Sequence, residues 1–453
     1  MSPVISRART ARATWACLFV FFILGASAAS WVSRLPALRD ALDLAPTELA
    51  QMLLIGSLGS LIALPSSGPL VGRIGARATT RLGVGLWTLG IVGVALAAHV
   101  ASRPALSACL IAVCCGSSLW SATSNIEGGL VEAARRRVLL DKLHAMFSLG
   151  MVTGALIGAA LAGLGVSVTV HLLVMSAVIL ASTLAASHFY LSETEVAGFS
   201  VAAGAAAGGP SGPDQEAAAR AGARARGRTR QAWSERNTVL VALMVLSGGL
   251  MEGAANDWLA LSMIDGYGME AAQASLVLSA FLTIMATVRM LSTGLHRRFR
   301  ADRLLQALMV GACAGLLLVA FAPASWAALV GVVLWAAGAA LVFPTGASAL
   351  SKDPSMTAAR VSVLSTINYG AALIGPPVLG LMAEHLGYHR AMAVLVVPVA
   401  LAIALAPNVR KVPAAPTPVC PVGTESLPAG VASIAAAPEV LPAAPEALPA
   451  PAR

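Results

Sequence analysis

The chain has 453 residues, of which 57% are hydrophobic and only 11% charged, where an ordinary soluble domain has about a quarter of its residues charged. With a mean hydropathy of +0.80, this composition excludes an array of soluble domains. The net charge of +9 would fit a nucleic-acid partner only if it were gathered on one soluble face, and its distribution argues otherwise.

Hydrophobic runs of roughly 18 to 25 residues recur along the chain, each long enough to cross a ~30 Å hydrocarbon layer. Twelve spans are predicted, at about 13–33, 47–69, 79–99, 104–126, 142–164, 167–189, 238–262, 272–294, 303–323, 326–349, 359–382 and 388–406. Backbone polar groups in lipid must be satisfied within the segment, and these runs are too long for barrel strands, so the fold class is an all-α integral membrane protein. The first span follows a basic stretch and resembles a secretory signal, with small residues at Ala26 and Ala28. Its length and the even helix count favour an uncleaved span.

Five regions follow in order. Residues 1–12 form a short N-terminus, 13–189 a first six-helix bundle, and 190–237 a flexible linker of Ala, Gly and Arg. Residues 238–406 form a second six-helix bundle, and 407–453 an Ala and Pro tail without the means to build a core. With the N-terminus cytoplasmic, about two dozen of the 30 Lys and Arg fall on that side, and about four, Arg34, Arg39, Arg103 and Arg390, on the other. By the positive-inside rule this sets both termini in the cytoplasm, and it assigns the basic loops to topology rather than to nucleic acid. The six cysteines have no ligand spacing, so no metal site, cofactor or disulfide framework is expected.

The two bundles read as copies. "FSLGMVTGALIGAALAG" (147–163) aligns without gaps on "LSTINYGAALIGPPVLG" (364–380), "AASW" (28–31) answers "ANDW" (255–258), and "ELAQ" (48–51) answers "EAAQ" (270–273). Their common order relates spans one, two and five to spans seven, eight and eleven. Two parallel six-helix repeats are an arrangement of alternating-access transporters.

With the sequence "GPLVGRIGAR" (68–77) between spans two and three, the chain resembles the major facilitator superfamily. Gly68, Arg73, Gly75 and Arg77 match the superfamily's loop motif, whose acid is here replaced by Gly72. The resemblance implies a charge clasp steadying the cytoplasmic gate, built here from other residues. "ASWVSRLPALRD" (29–40), "NIEGGLVE" (125–132) and "EGAANDWLALSMIDG" (252–266) narrow the resemblance to a fucose-permease-like branch of poorly characterised bacterial permeases. Sugar and proton symporters of that branch tend to carry acids within spans one and four, which this chain lacks.

Charged side chains inside a membrane face a cavity, pair, or lie near the interface. Glu252 lies about fourteen residues, or about 21 Å, into the seventh span, with Asn256 on the same helical face. Glu252 is a candidate proton or substrate carboxylate, or else half of a structural pair between helices. Asn256, Asn368 and Tyr369 are candidate cavity hydrogen-bonding groups. Asp257 is placed near the external mouth, with Arg34 as a candidate gate partner, or both as solvated rim residues. Trp31 and Trp258 read as interfacial anchors. Arg289 reads as snorkelling to the cytoplasmic side, or as a buried cation needing an acid. Asn125 and Glu127 end the fourth span, with a salt bridge from Glu127 to Arg135 or a loop base expected. His144 opens the fifth span as a hydrogen-bonded or titratable group. In the same span Gly150, Gly154 and Gly158 repeat every four residues and allow close helix contact.

No Walker-type phosphate loop occurs, and no catalytic constellation is legible. The expected function is secondary active transport of a small solute, coupled to protons, by a monomeric chain in a bacterial inner membrane. Proton-driven efflux and a non-transporting sensor or scaffold are the alternatives.

Overall fold

A computed structural model describes residues 6–135, 139–191, 227–353 and 356–412. The expected tail from 413 onward and most of the expected linker, 192–226, lie outside the described residues. Helices account for all the regular secondary structure described. In the first half these are α1 (Arg7–Val32), α2 (Leu35–Leu42), α3 (Pro46–His99), α4 (Arg103–Arg135), α5 (Leu140–Gly163) and α6 (Val168–Ser187). The second half contains α7 (Arg236–Tyr267), α8 (Ala271–Arg298), α9 (Ala301–Phe321), α10 (Ser325–Ala340), α11 (Val342–Leu350) and α12 (Thr357–Leu386). A broken last crossing follows, with α13 (Tyr388–Ala391), a 3₁₀ segment (Met392–Leu395) and α14 (Val396–Leu405). Below, "proximal" denotes the end of the bundle where α1 begins and "distal" the end where α1 finishes.

Among the described residues eleven helices are long and apolar enough to cross a membrane, against twelve predicted spans. The difference lies in α3, whose 54 residues would extend about 81 Å at 1.5 Å per residue, far more than one crossing. Gly75 interrupts it with φ 79° and ψ 162°, a conformation open to glycine and strained for other residues. The arms 46–74 and 76–99 are therefore two crossings joined by a one-residue hinge, and the count of twelve stands. Gly75 of the loop motif is that hinge.

Packing follows from the absence of a hydrophobic drive between helices in lipid, where close contact through small residues does the work. A Cβ placed on Gly25, Gly150 or Gly154 would run into the backbone carbonyl of Phe147, Phe22 or Ala26 respectively, so α1 and α5 meet backbone to backbone. Gly83, Gly90 and Gly116 do the same between α3 and α4, beside an edge-to-face contact of Trp87 and Trp120 with centroids 6.2 Å apart. Gly315, Gly331 and Gly338 seat α9 on α10. The halves meet where α5 packs on α8 and α3 on α12.

Arginines close the proximal end of the first half. Arg9 donates to the carbonyls of Phe189 and Tyr190 at 2.6 Å each, Arg77 to Tyr190 O at 2.8 Å, and Arg81 to Ser187 Oγ at 3.1 Å. Arg77 of the loop motif thus holds a backbone carbonyl instead of an acid, while Arg73, Gly68 and Gly72 are exposed. In the second half a helical stretch at 227–234 buries Ala232 against Met356, Ala359 and Val363. Asn237 donates to Lys411 O at 3.0 Å and Lys352 to Val409 O at 3.0 Å.

Candidate functional site

Between the halves lies a cavity of about 460 Å³, within the size range of small-molecule sites. Its wall draws on α1, the first arm of α3 and α4 from the first half, and on α7 and α12 from the second. Glu252, Asn256, Asn368 and Tyr369, four residues scattered over 118 positions of sequence, all line it. Asp257 lines it as well.

The two acids have different surroundings. Glu252 Oε2 accepts from Arg289 Nη2 at 2.9 Å, and Arg289 Nε donates to Ala340 O at 3.0 Å. This corrects the snorkelling reading of Arg289: α8 continues nine residues beyond it to Arg298, about 14 Å at 1.5 Å per residue, so its guanidinium sits at the depth of Glu252. Asp257 has no such support. It makes no hydrogen bond or ion pair among the described residues. Asn368 Oδ1 is buried without a partner, and it lies so close to Gly249 that a side chain there would meet it.

The gate pair expected between Arg34 and Asp257 does not form. Hydropathy ends the seventh span at 262, but α7 runs to Tyr267, ten residues or about 15 Å past Asp257. Asp257 therefore lies inside the cavity and not at its mouth. Arg34 donates to the carbonyl of Val166. The acid at the mouth is Asp265, whose Oδ2 lies 2.6 Å from Nη1 of Arg39. Trp31 and Trp258 also depart from the reading as interfacial anchors, because both line the cavity. Trp258 is fully buried, with its ring 5.6 Å from that of Tyr388.

Contacts between halves gather at the distal end. Besides Arg39 with Asp265, Thr47 Oγ1 donates to Glu384 Oε2 at 3.2 Å, Ser275 Oγ donates to Ser33 O at 3.0 Å, and Gly380 lies directly against Ala50. The guanidinium of Arg39 also stands 5.4 Å from the Tyr388 ring centroid. Toward the proximal end, Gly68, Gly72, Gly129 and Gly294 have open space where a Cβ would point, and Tyr369 is 49% exposed although it lines the cavity. These contacts close the distal side of the chamber.

The remaining candidates lie elsewhere. Asn125 donates to Ser121 O of its own helix at 2.9 Å. Fully buried Glu127 accepts from the Leu191 backbone N–H at 2.7 Å, and the loop bases expected to face it at 136 and 137 lie outside the described residues. His144 meets Phe21 edge to face at 5.7 Å. Sequence reasoning missed Ser57, Ser60 and Cys114, which line the cavity, because a lone serine or cysteine in an apolar run carries no signal of which way it faces.

A family model of the Major Facilitator Superfamily matches residues 16–369. The chain belongs to this superfamily. It is 27% identical over 369 residues to an uncharacterised transporter of Sinorhizobium fredii, covering 80% of this chain and 89% of that one. It is 24% identical over 366 residues to an uncharacterised transporter of the same superfamily from Yersinia pestis, covering 80% and 87%. Among solved structures, a bacterial homologue of the human lysosomal transporter Spinster, inward-facing and unoccupied, superposes with a TM-score of 0.68 at 14% identity, covering 90% of this chain and 98% of that one. The E. coli fucose:proton symporter superposes with a TM-score of 0.56 at 18% identity, covering 87% and 98%. Family membership makes this superfamily chain a multi-pass membrane transporter, not an enzyme, working by alternating access on small solutes.

Proposed function

We propose that this transporter is driven by protons and that Asp257 is the group that takes and releases them. The observation that carries the reading is the unpartnered carboxylate of Asp257 in a cavity between the two halves. An isolated carboxylate inside a membrane is costly unless it is neutralised, and a proton neutralises it without any neighbouring cation. Glu252 already has Arg289 at 2.9 Å, which suits it to holding α7 against α8 and the cavity wall in shape. That superposable structures include a fucose:proton symporter agrees with proton coupling.

The basic residues gathered at the proximal helix ends support a cytoplasmic proximal face in a bacterial inner membrane. In that orientation the closed distal side faces outward. A single chain supplies the whole cavity wall, which supports a monomer as the working unit.

The test is charge movement in proteoliposomes adsorbed to a solid-supported membrane after a pH jump, with no solute added. Wild type is expected to give a transient current as Asp257 exchanges its proton. Asp257→Asn should abolish the transient, whereas Glu252→Gln should leave a measurable one. A current of wild-type size in Asp257→Asn removes Asp257 as the proton site.

A further inference from the structure

We infer that the solute is a small organic cation whose ammonium or guanidinium group occupies the place beside Asp257 that a proton otherwise takes; the inference rests on the assignment of Asp257 above. Charge supplies the first argument. The residues lining the cavity include Glu252 and Asp257 but no Lys, Arg or His. Arg289 neutralises Glu252, which leaves the cavity with one uncompensated negative charge. A solute carrying a carboxylate or phosphate would meet a like charge at Asp257 and no cation to offset it, and at short range in a poorly hydrated site that opposes binding strongly.

Hydrogen-bonding capacity points the same way. The Asp257 carboxylate is unpartnered, Asn368 Oδ1 is a buried acceptor without a donor, and only Oε2 of Glu252 is engaged by Arg289. Ser57 already donates to Leu54 O at 2.6 Å. The wall therefore offers charged and neutral acceptors to a ligand's N–H groups, beside an unpartnered buried donor at Trp258 Nε1. Aromatic surface completes the environment. Trp31 and Tyr369 line the cavity with partly exposed rings, and aromatic faces attract cations, most strongly where water is excluded.

A single carboxylate cannot hold a proton and a cation at once, so binding of the solute releases one proton. The titratable and charged groups around Asp257 are Glu252 on its own helix with Arg289 of α8 behind it, Cys114 on α4 and Tyr369 on α12; α1 and α3 contribute no charged group to the wall. Competition at Asp257 couples the two fluxes in opposite directions, making the transporter an exchanger of organic cations for protons.

The test measures binding by the full-length protein in nanodiscs, read as tryptophan fluorescence and thermal shift. Its probes are matched molecules differing in charge: tyramine, the neutral tyrosol and the anionic 4-hydroxyphenylacetate, with agmatine, choline and benzyltrimethylammonium as further cations and L-fucose as a neutral polyol. At least one cation should bind more tightly than its neutral and anionic counterparts. Asp257→Asn should weaken it by about tenfold or more, and Asp257→Glu should recover part of the loss. The apparent affinity should rise about tenfold per pH unit while Asp257 is protonated and level off once it is ionised.

Binding of tyrosol or fucose in preference to every cation, cation binding unaltered in a well-folded Asp257→Asn protein, or no cation binding at all overturns the inference. The two readings fail separately. A pH-jump current that depends on Asp257, together with preferential fucose binding, keeps the proton site and rejects the cation. Cation binding that depends on Asp257 without any proton release rejects the proton site and keeps the cation.

Discussion

The distal seal contains an ion pair whose removal should change the balance between distal-closed and distal-open forms. Arg39 Nη1 lies 2.6 Å from Asp265 Oδ2, and the two side chains are 13% and 35% exposed. In Asp265→Asn the guanidinium is not stranded, because Arg39 keeps Asp40 at 2.7 Å and the Tyr388 ring at 5.4 Å. The loss is therefore that of a partly exposed pair and not of a buried one, about 1 kcal/mol after screening by solvent. Since the pair joins the two halves, its loss falls on the distal-closed form, and about 1 kcal/mol changes the ratio of the two forms about fivefold. Electron–electron distance measurements test this with spin labels at Val100 and Trp326, which are 67% and 71% exposed at distal turns of the two halves. The background replaces the six cysteines with serine. The longer-distance population should grow relative to wild type, and the difference should shrink in high salt, which screens exposed charges. An unchanged ratio, or a shift toward the short distance, would refute the assignment of Arg39 and Asp265 as a distal latch.

Three further outcomes follow from other contacts. Arg289→Gln leaves Glu252 without its cation; with both side chains about a third exposed, the cost should be about 1–2 kcal/mol, read as a lower Tm that Glu252→Gln partly restores in the double variant. Gly150→Val drives a side chain into the Phe22 carbonyl and should cost about 1–3 kcal/mol by overpacking, whereas Gly129→Val, which points into open space, should leave Tm nearly unchanged. Burial works against the charge of Glu235, but hydrogen bonds from Arg360 and Thr238 outweigh it and hold the carboxyl below its ordinary value of 4.5. Its contribution is thus complete above that value and disappears as pH falls through the lower folded one. Glu235→Gln should lower Tm at neutral pH, and the gap to wild type should close in acid; a gap that widens in acid contradicts the sign.

Much of the fold was legible because lipid imposes a strong rule on sequence. Span length, the basic asymmetry and the repeat of "ALIG" each follow from constraints that act along the chain, and these suffice for twelve crossings in two halves. The fused α3 escaped because one glycine at φ 79° turns the chain where a loop of several residues is the usual expectation. The α1 to α5 contact was legible in the fourfold spacing of Gly150, Gly154 and Gly158, since a backbone approach of that kind requires missing side chains in register.

The acids show where such reading stops. Hydropathy gives the depth of a residue to within a turn or two, and an error of five residues at the end of α7 was enough to move Asp257 from cavity to rim and to hide Asp265 as the true partner at the mouth. Partnership is less legible still. Glu252 and Arg289 are 37 positions apart, and nothing local to either residue says that their helices face each other. The consequence is functional, since an ion-paired carboxylate and a solitary one look alike in sequence but differ in what they can exchange. With Glu252 satisfied by Arg289, the cost of a charge in the membrane falls on Asp257. A transporter retains such a cost where the group changes partners during its cycle, which is the ground for proposing the solitary acid as the exchanging group.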